Sequence, residues 1–375
     1  MDTETSPIKT TSIITILHGE VEFIPLILNN FKNFKNKESL DLVVIDDGRE
    51  NLISHFAGTE RCIYIHLGGE EKSKFTEQIF TEYKEPNKSL LQYEKKRSAL
   101  PNGFLRDYGC GMSDGDNIFH MNMDCIYSPK SIDRKLNFMS KVGAECIFCD
   151  KMLCYDIHGK ELYKTESEFK IYEQTLFHTR EFWKRRNFQW HDTVNEGKNF
   201  HYNNGIDHRM DNYYDTIQLL SIHNINKFNP IKVTLEGIDI EIPDIVKDIS
   251  QPIHPVSKCI NDLFPGPEKV TVLGLESVFL ENIEIEKHWQ IHNITEKWKQ
   301  TKLSNICKQV ASEFNVFLYC AKSPAWDLFK HVPFDIIMLE TSKNYEQMAS
   351  IILKNKVYEY IHVDGIFVRK EFLEQ

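Results

Sequence analysis

The chain has no apolar run long enough to cross a membrane. Its first residues, Met1-Asp-Thr-Glu-Thr-Ser-Pro7, lack the basic and apolar regions of a secretory signal, so a cytoplasmic location and no transmembrane segment are expected. A basic surplus is missing too. Lys and Arg number 45 against 55 Asp and Glu, a formal charge of −10, which argues against general nucleic-acid binding. A small anionic ligand held by a few local cations stays open. No internal repeat or low-complexity tract is evident. The nine cysteines are odd in number and lie mostly inside apolar segments, a pattern of free thiols rather than of a disulfide framework. What the chain does have is 375 residues, 41% hydrophobic and 27% charged, enough for two globular domains with proper cores.

The stretch Phe104–Tyr127 organises the rest. Phe104, Leu105, Tyr108 and Met112 recur at helical spacing, and Gly109 and Gly111 let that helix lie close to a neighbour. Ser113-Asp-Gly-Asp116 stops it. Asn117–Met123 reads as a strand covered on both faces, and Asp124 sits at its expected carboxyl end, where ligands collect in open α/β sheets. A carboxylate there serves as a turn cap or as a cation ligand. Before this stretch, Ser12–Leu17 reads as a strand closed by His18-Gly19-Glu20. A helix follows from Glu22 with Pro25 in its first turn, and Leu42–Ile45 and Cys62–Leu67 are further strands. This alternation predicts a mostly parallel sheet with helices on both faces. Residues 70–98, highly charged, are expected to form helix or a loop near a site.

The order strand, Asp46-Asp47-Gly48, a helix carrying Arg106-Asp107, Gly115-Asp116, an apolar strand and Asn122-Met123-Asp124 resembles the GT-A nucleotide-sugar glycosyltransferases. It is most similar to their large inverting, family 2-like group with an Asp-x-Asp motif, over about residues 11–225. The resemblance implies a Rossmann-like GT-A domain, a UDP- or GDP-sugar donor, a glycan, glycolipid or protein acceptor, and Mn2+ or Mg2+ as cofactor. Asn122 stands where the family usually has the first Asp. The implied metal ligands are Asp124 and, late in the domain, His223. Donor-binding residues are Leu17, His18, Glu20, Asp46, Asp47, Arg106, Asn122 and Met123. On the strand reading, Asn122 shares a sheet face with Asp124.

Aromatics interleaved with carboxylates in Phe182–Phe200 suit a sugar acceptor, with Trp190 and His191 as acceptor-binding residues. Glu196, before Gly197, best matches the family's base and Asp192 is the reserve; an inverting transfer needs one such base. Cys146-x-x-Cys149 is half a zinc site without a second half at the usual spacing, inside Val142–Leu153, which reads as an apolar strand. Residues 1–230 are taken as the GT-A-like domain and 231–375 as a smaller α/β domain of unknown role. In the latter, Ile231–Val246, Lys269–Leu273, Val316–Cys320, Asp335–Leu339 and Tyr358–Val363 read as strands and Ile294–Phe314 as helix. It holds no Gly-x-Gly-x-x-Gly, P-loop or Gly-x-Ser-x-Gly. Two alternatives remain: a sugar-phosphate nucleotidyltransferase, and a degenerate, non-catalytic sugar-nucleotide-binding protein.

Overall fold

In the computed structural model the described residues are 10–82, 99–157, 159–166, 171–192, 196–202, 209–211, 213–220, 231–236, 238–247 and 249. Beyond these lie the shorter stretches 270–275, 290–294, 314–319, 334–339, 352, 358–362 and 366–369. They divide into two compact units, the first ending at Ser250. Its strands are β1 (Thr11–Leu17), β2 (Leu40–Asp46), β3 (Cys62–His66), β4 (Asn117–His120), β5 (Cys125–Tyr127), β6 (Cys146–Ile147), β7 (Lys151–Asp156), β8 (Glu161–Glu166), β9 (Phe177–Thr179), β10 (Thr216–Leu220) and β11 (Ile231–Val233). Its α-helices are α1 (Ile24–Asn33), α2 (Ile53–Phe56), α3 (Gly69–Glu82), α4 (Asn102–Met112), α5 (Ser131–Val142), α6 (Arg180–Arg186) and α7 (Glu196–Tyr202).

The main sheet has the order β3-β2-β1-β4-β9-β6. Its first four strands are parallel, and β9 adds antiparallel to β4 and to β6. Strand β1 is buried along its whole length because its two faces meet different cores. Ile13 and Leu17 pack with Ile24, Ile27 and Phe31 of α1, whereas Ile14 and Ile16 pack with Phe104, Leu105 and Cys110 of α4. Alternation along a doubly covered strand thus yields the near-continuous apolar run seen in the sequence. A second sheet, β11-β8-β7-β10-β5, carries the β7–β8 hairpin. The unit is an α/β fold with a mostly parallel main sheet and helices on both faces.

Several elements differ from the sequence reading. Strand β4 stops at His120, and residues 121–124 turn towards β5. Alternation along one strand therefore does not relate Asn122 to Asp124. Val142 is the last residue of α5, which closes on left-handed Gly143, so Val142–Leu153 is a helix end and two short strands. In Ile231–Val246 only β11 is strand, and Asp244–Lys247 is a 3-10 turn. Pairing of β11 with β8 draws it into the first unit, past the boundary expected near 230.

The second unit has a sheet of β12 (Val270–Leu275), β13 (Gln290–Ile294), β14 (Phe314–Tyr319), β15 (Ile336–Leu339), β16 (Tyr358–His362) and β17 (Ile366–Arg369), ordered β13-β12-β14-β15-β17-β16. The first four strands of that order are parallel. Ile294 and Phe314, expected at the two ends of one helix, are strand residues; those between lie outside the described residues.

Close approach of α4 to the sheet depends on Gly109, not on Gly111. A Cβ on Gly109 would lie 2.7 Å from Ile14 Cγ2 and 3.3 Å from Ile45 Cγ1, whereas one on Gly111 would meet only Trp183 at 3.9 Å. Gly109→Val is expected to destabilise by about 1–3 kcal/mol through overpacking. Gly111→Ala is expected to be neutral or to stabilise by up to about 1 kcal/mol. Urea unfolding of both variants tests this, and equal effects would place the close contact elsewhere.

Candidate active site

The predicted donor residues converge at the carboxyl end of the parallel strands. Leu17, the last residue of β1, is fully buried, and its carbonyl accepts from the Asp47 N–H. Asp46 is fully buried; it accepts from Gly48 N–H at 2.9 Å and from the Tyr64 hydroxyl at 2.6 Å. Asp47 is held by His18 Nδ1 at 2.5 Å, by Lys72 Nζ at 3.2 Å and by Leu100 N–H. Burial alone would raise the Asp47 carboxyl, but His18 and Lys72 outweigh it and hold the group down at about 2. The acid pair thus spends its oxygens on fixing the turn after β2 against Tyr64, His18, Lys72 and Leu100. His18 continues the chain of contacts through Nε2 to Asn102 Oδ1 at 3.1 Å, and Glu20 accepts from His18 N–H.

Arg106 lies at the centre. Its position on α4 turns it inward, and it is only 2% exposed. Its Nε donates to Glu196 Oε1 at 2.9 Å and its Nη2 to Asn122 Oδ1 at 3.1 Å. Arg106, Asn122 and Glu196, far apart in sequence, thus form one hydrogen-bonded group. Asn122 N–H is fixed by the Tyr127 hydroxyl at 2.9 Å, and Met123 packs against two core clusters.

Asp124 is separate from that group. Its Oδ2 accepts from Gln218 Nε2 at 2.9 Å and its Oδ1 from the Cys125 thiol at 3.6 Å. Burial pushes its carboxyl up, against those two hydrogen bonds, and the nearby Glu20 charge adds to the rise. Two carboxylates that repel one another are an arrangement a hard divalent cation would relieve. Asp124 is the carboxylate here that could hold such an ion, with Glu20 acting on it electrostatically; Asn122 is not a ligand, since its carbonyl oxygen is committed to Arg106. His223 lies outside the described residues.

In the segment before α7, Asp192 is 2% exposed. Its carbonyl accepts from Gly103 N–H at 2.7 Å and its Oδ1 from Asn199 Nδ2 at 2.9 Å. Its carboxyl stands at about 6, raised by burial and by Glu196 against the Asn199 hydrogen bond. His191 lies 3.7 Å from that carboxylate, and burial lowers its imidazole. Trp190 is half-buried, edge-on to Phe104, with its indole N–H given to Asp107 at 2.8 Å. Asp107 also accepts from Trp183 Nε1 and from Phe188 N–H, so this buried acid pins the whole aromatic segment to α4. Glu173, beside the first turn of α7, joins the Arg106–Glu196 group electrostatically. Sequence reasoning missed Asp107 and Glu173. Asp107 directly follows Arg106, a local signal; Glu173 offers none.

Deeper under α4, ligand atoms of Cys110, His120 and His178 lie within 4.8 Å of one another. His178 Nδ1 donates to the Thr179 carbonyl at 2.9 Å, which leaves its Nε2 to accept from His120 Nε2 at 2.9 Å, a tautomer assignment fixed by the network. Arg106 and Arg180 both act on this cluster, opposing an added cation. The pair is therefore a neutral core element that leaves one buried atom, His120 Nδ1, without a hydrogen-bond partner among the described residues. Burial lowers both imidazoles, His178 to about 4. At these two imidazoles the native state binds fewer protons than the unfolded chain between about pH 6.5 and 4, so their contribution to stability falls as pH drops through that window, against the raised carboxyls Asp192 and Glu173. His178 alone contributes roughly 3 kcal/mol to that fall. Urea unfolding at pH 7 and 4 is expected to show wild type losing stability relative to the His120→Leu/His178→Leu double variant, and a difference between the two that does not change with pH would overturn this.

No family model matches the sequence, and no curated protein matches it. Solved structures do match. S. aureus TarS 1–349 in complex with UDP aligns at 11% identity and a TM-score of 0.39, over 58% of this chain and 62% of that one. The same protein with UDP-GlcNAc gives 12% and 0.34, over 56% of each chain. The mannosyltransferase PcManGT from Pyrobaculum calidifontis, in complex with GDP-Man and Mn2+, gives 10% and 0.37, over 57% of each. The chain thus spans a little over half the length of the structures it matches. What it is similar to, across a little over half of its length, is the fold of TarS and of a mannosyltransferase.

Proposed function

We propose that the chain is a glycosyltransferase that moves a sugar, with inversion, from a nucleotide diphosphate sugar to an acceptor hydroxyl. The observation that carries this reading is the Arg106–Asn122–Glu196 group at the carboxyl end of the parallel strands, where a buried cation faces acceptor-side carboxyls. An anionic donor needs local positive charge, and a hydroxyl acceptor needs a base; both chemistries meet here within one cleft. His18, Asn102 and Glu20 offer polar groups at the strand ends for the nucleoside. The UDP and GDP-Man of the matched structures are the donor types to try first.

Mn2+ or Mg2+ is the cofactor implied, held by Asp124; when bound it would neutralise charge on the departing diphosphate. Arg106 would act beside it, its guanidinium fixed by Glu196 and Asn122 so that no reorganisation is needed as charge develops. Asp192 and Glu196 stand on the acceptor side, with Asn199 and Arg106 orienting one oxygen of each.

Incubation with UDP- and GDP-sugars and either ion, followed by assay of free nucleoside diphosphate, is the direct test. Wild type is expected to release nucleotide only with the divalent ion, and Asp124→Ala to lose that release while its unfolding curve stays near wild type. Full release by Asp124→Ala, or in excess chelator, would overturn the metal site. No release from any donor would leave a sugar-nucleotide-binding role, measured by calorimetry.

A further inference from the structure

Three carboxyls, Glu173, Glu196 and Asp192, are linked electrostatically through Glu196, and they differ in how far a ligand can reach them. Glu196 is 4% exposed and its Oε1 is ion-paired to Arg106 at 2.9 Å. Asp192 is 2% exposed, with its Oδ1 bound to Asn199 and its backbone bound to Gly103; its Oδ2 has no hydrogen-bond partner among the described residues but is buried out of reach of a ligand. Glu173 is partly exposed. Its Oε1 accepts from Gly197 N–H at 3.3 Å, and its Oε2 has no hydrogen-bond partner among the described residues. Gly197 packs so closely that a Cβ there would lie 2.9 Å from Glu173 Cγ. The first turn of α7 thus braces one oxygen of Glu173 and leaves the other open.

We propose that Glu173, rather than Glu196 or Asp192, is the carboxyl that accepts the proton of the acceptor hydroxyl. This rests on the transferase reading above and assigns its base. The acceptor O–H gives its proton to Glu173 Oε2, and its oxygen forms the bond to the anomeric carbon. The sugar–phosphate C–O bond breaks, and its electron pair leaves with the nucleoside diphosphate. Afterwards the proton passes from Glu173 to water, which restores the carboxylate. Glu196 keeps its ion pair with Arg106 throughout.

The surroundings suit that task. Among the described residues Glu173 faces Glu196 from α7, Arg106 from α4 and Tyr172 beside it in the chain, with Asp192 beyond Glu196. Burial of the carboxyl raises it most, the Glu196 charge adds to the rise, and Arg106 offsets part, leaving Glu173 at about 7. A base is most effective when it titrates near the working pH. The Tyr172 hydroxyl, raised to about 12, takes no part near neutrality.

Two readouts test the assignment. In the nucleotide-release assay with acceptor, Glu173→Gln is expected to lose on the order of a hundredfold or more in kcat. Donor affinity should hold, and the acid limb of kcat/KM near pH 7 should disappear. Glu173→Asp should retain a limb at a lower plateau. Thermal unfolding gives the second readout, which needs no activity. A raised carboxyl binds its proton more tightly in the native state, so stability falls as pH rises from about 4.5 to 7. Glu173→Gln removes that loss, and its Tm relative to wild type should rise between pH 5 and 8. Near-normal transfer by Glu173→Gln, or an unshifted acid limb, or a Tm difference independent of pH, would overturn the proposal. Failure of wild type itself to release nucleotide from any donor would count instead against the transferase reading.

Discussion

A single buried guanidinium sets the terms for the first unit. Arg106 is almost entirely removed from water, and an uncompensated charge there would be untenable. Its two partners come from the turn after β4 and from the start of α7, segments that no local interaction would bring together. Removing one partner of such a buried pair typically costs about 3–5 kcal/mol, because the other charge is left stranded. The cleft's geometry and its electrostatics are therefore one constraint: whatever moves Glu196 or Asn122 must also move α4.

The same guanidinium explains why the neighbouring carboxyls behave unequally. One positive charge can neutralise one carboxylate, and Glu196 holds that position by direct contact. Glu173 and Asp192 are left with burial and a negative neighbour, and both are driven up, to about 7 and about 6. Three chemically similar acids acquire different roles from where one cation points. At the other end of the cleft, Asp47 is driven the opposite way because two cationic partners, His18 and Lys72, converge on it. Strand-end acids that look like ligands can equally be the struts that fix a turn, as Asp46 does by serving Gly48 and Tyr64.

Much of the architecture was legible from local pattern. Strands β1, β2 and β3 announce themselves as β-branched runs with turn residues after them, and α4 as an apolar stripe ended by Ser-Asp-Gly. Errors came where one continuous apolar run conceals a change of direction. Asn117–Met123 contains a strand and a turn, and Val142–Leu153 a helix end and two strands, since burial rather than periodicity makes such residues apolar. Trp190 carries a tie that local pattern does not announce, since its indole N–H is given to Asp107 on α4.

By itself the sequence determined the α/β alternation, the inward stripe of α4, the placement of acids at strand ends and the segments from which the site is drawn. These follow from hydrophobic periodicity and turn chemistry, which act over a few residues. Only the tertiary structure decided which acids would face each other, which would be neutralised and which left open. Pairing of Arg106 with Glu196 spans 90 positions, and the fall of Glu173 beside both depends on the β9 and α7 segments docking against α4. Charge states in a desolvated cleft are set by distances between groups, and distances across the chain are not written in local pattern.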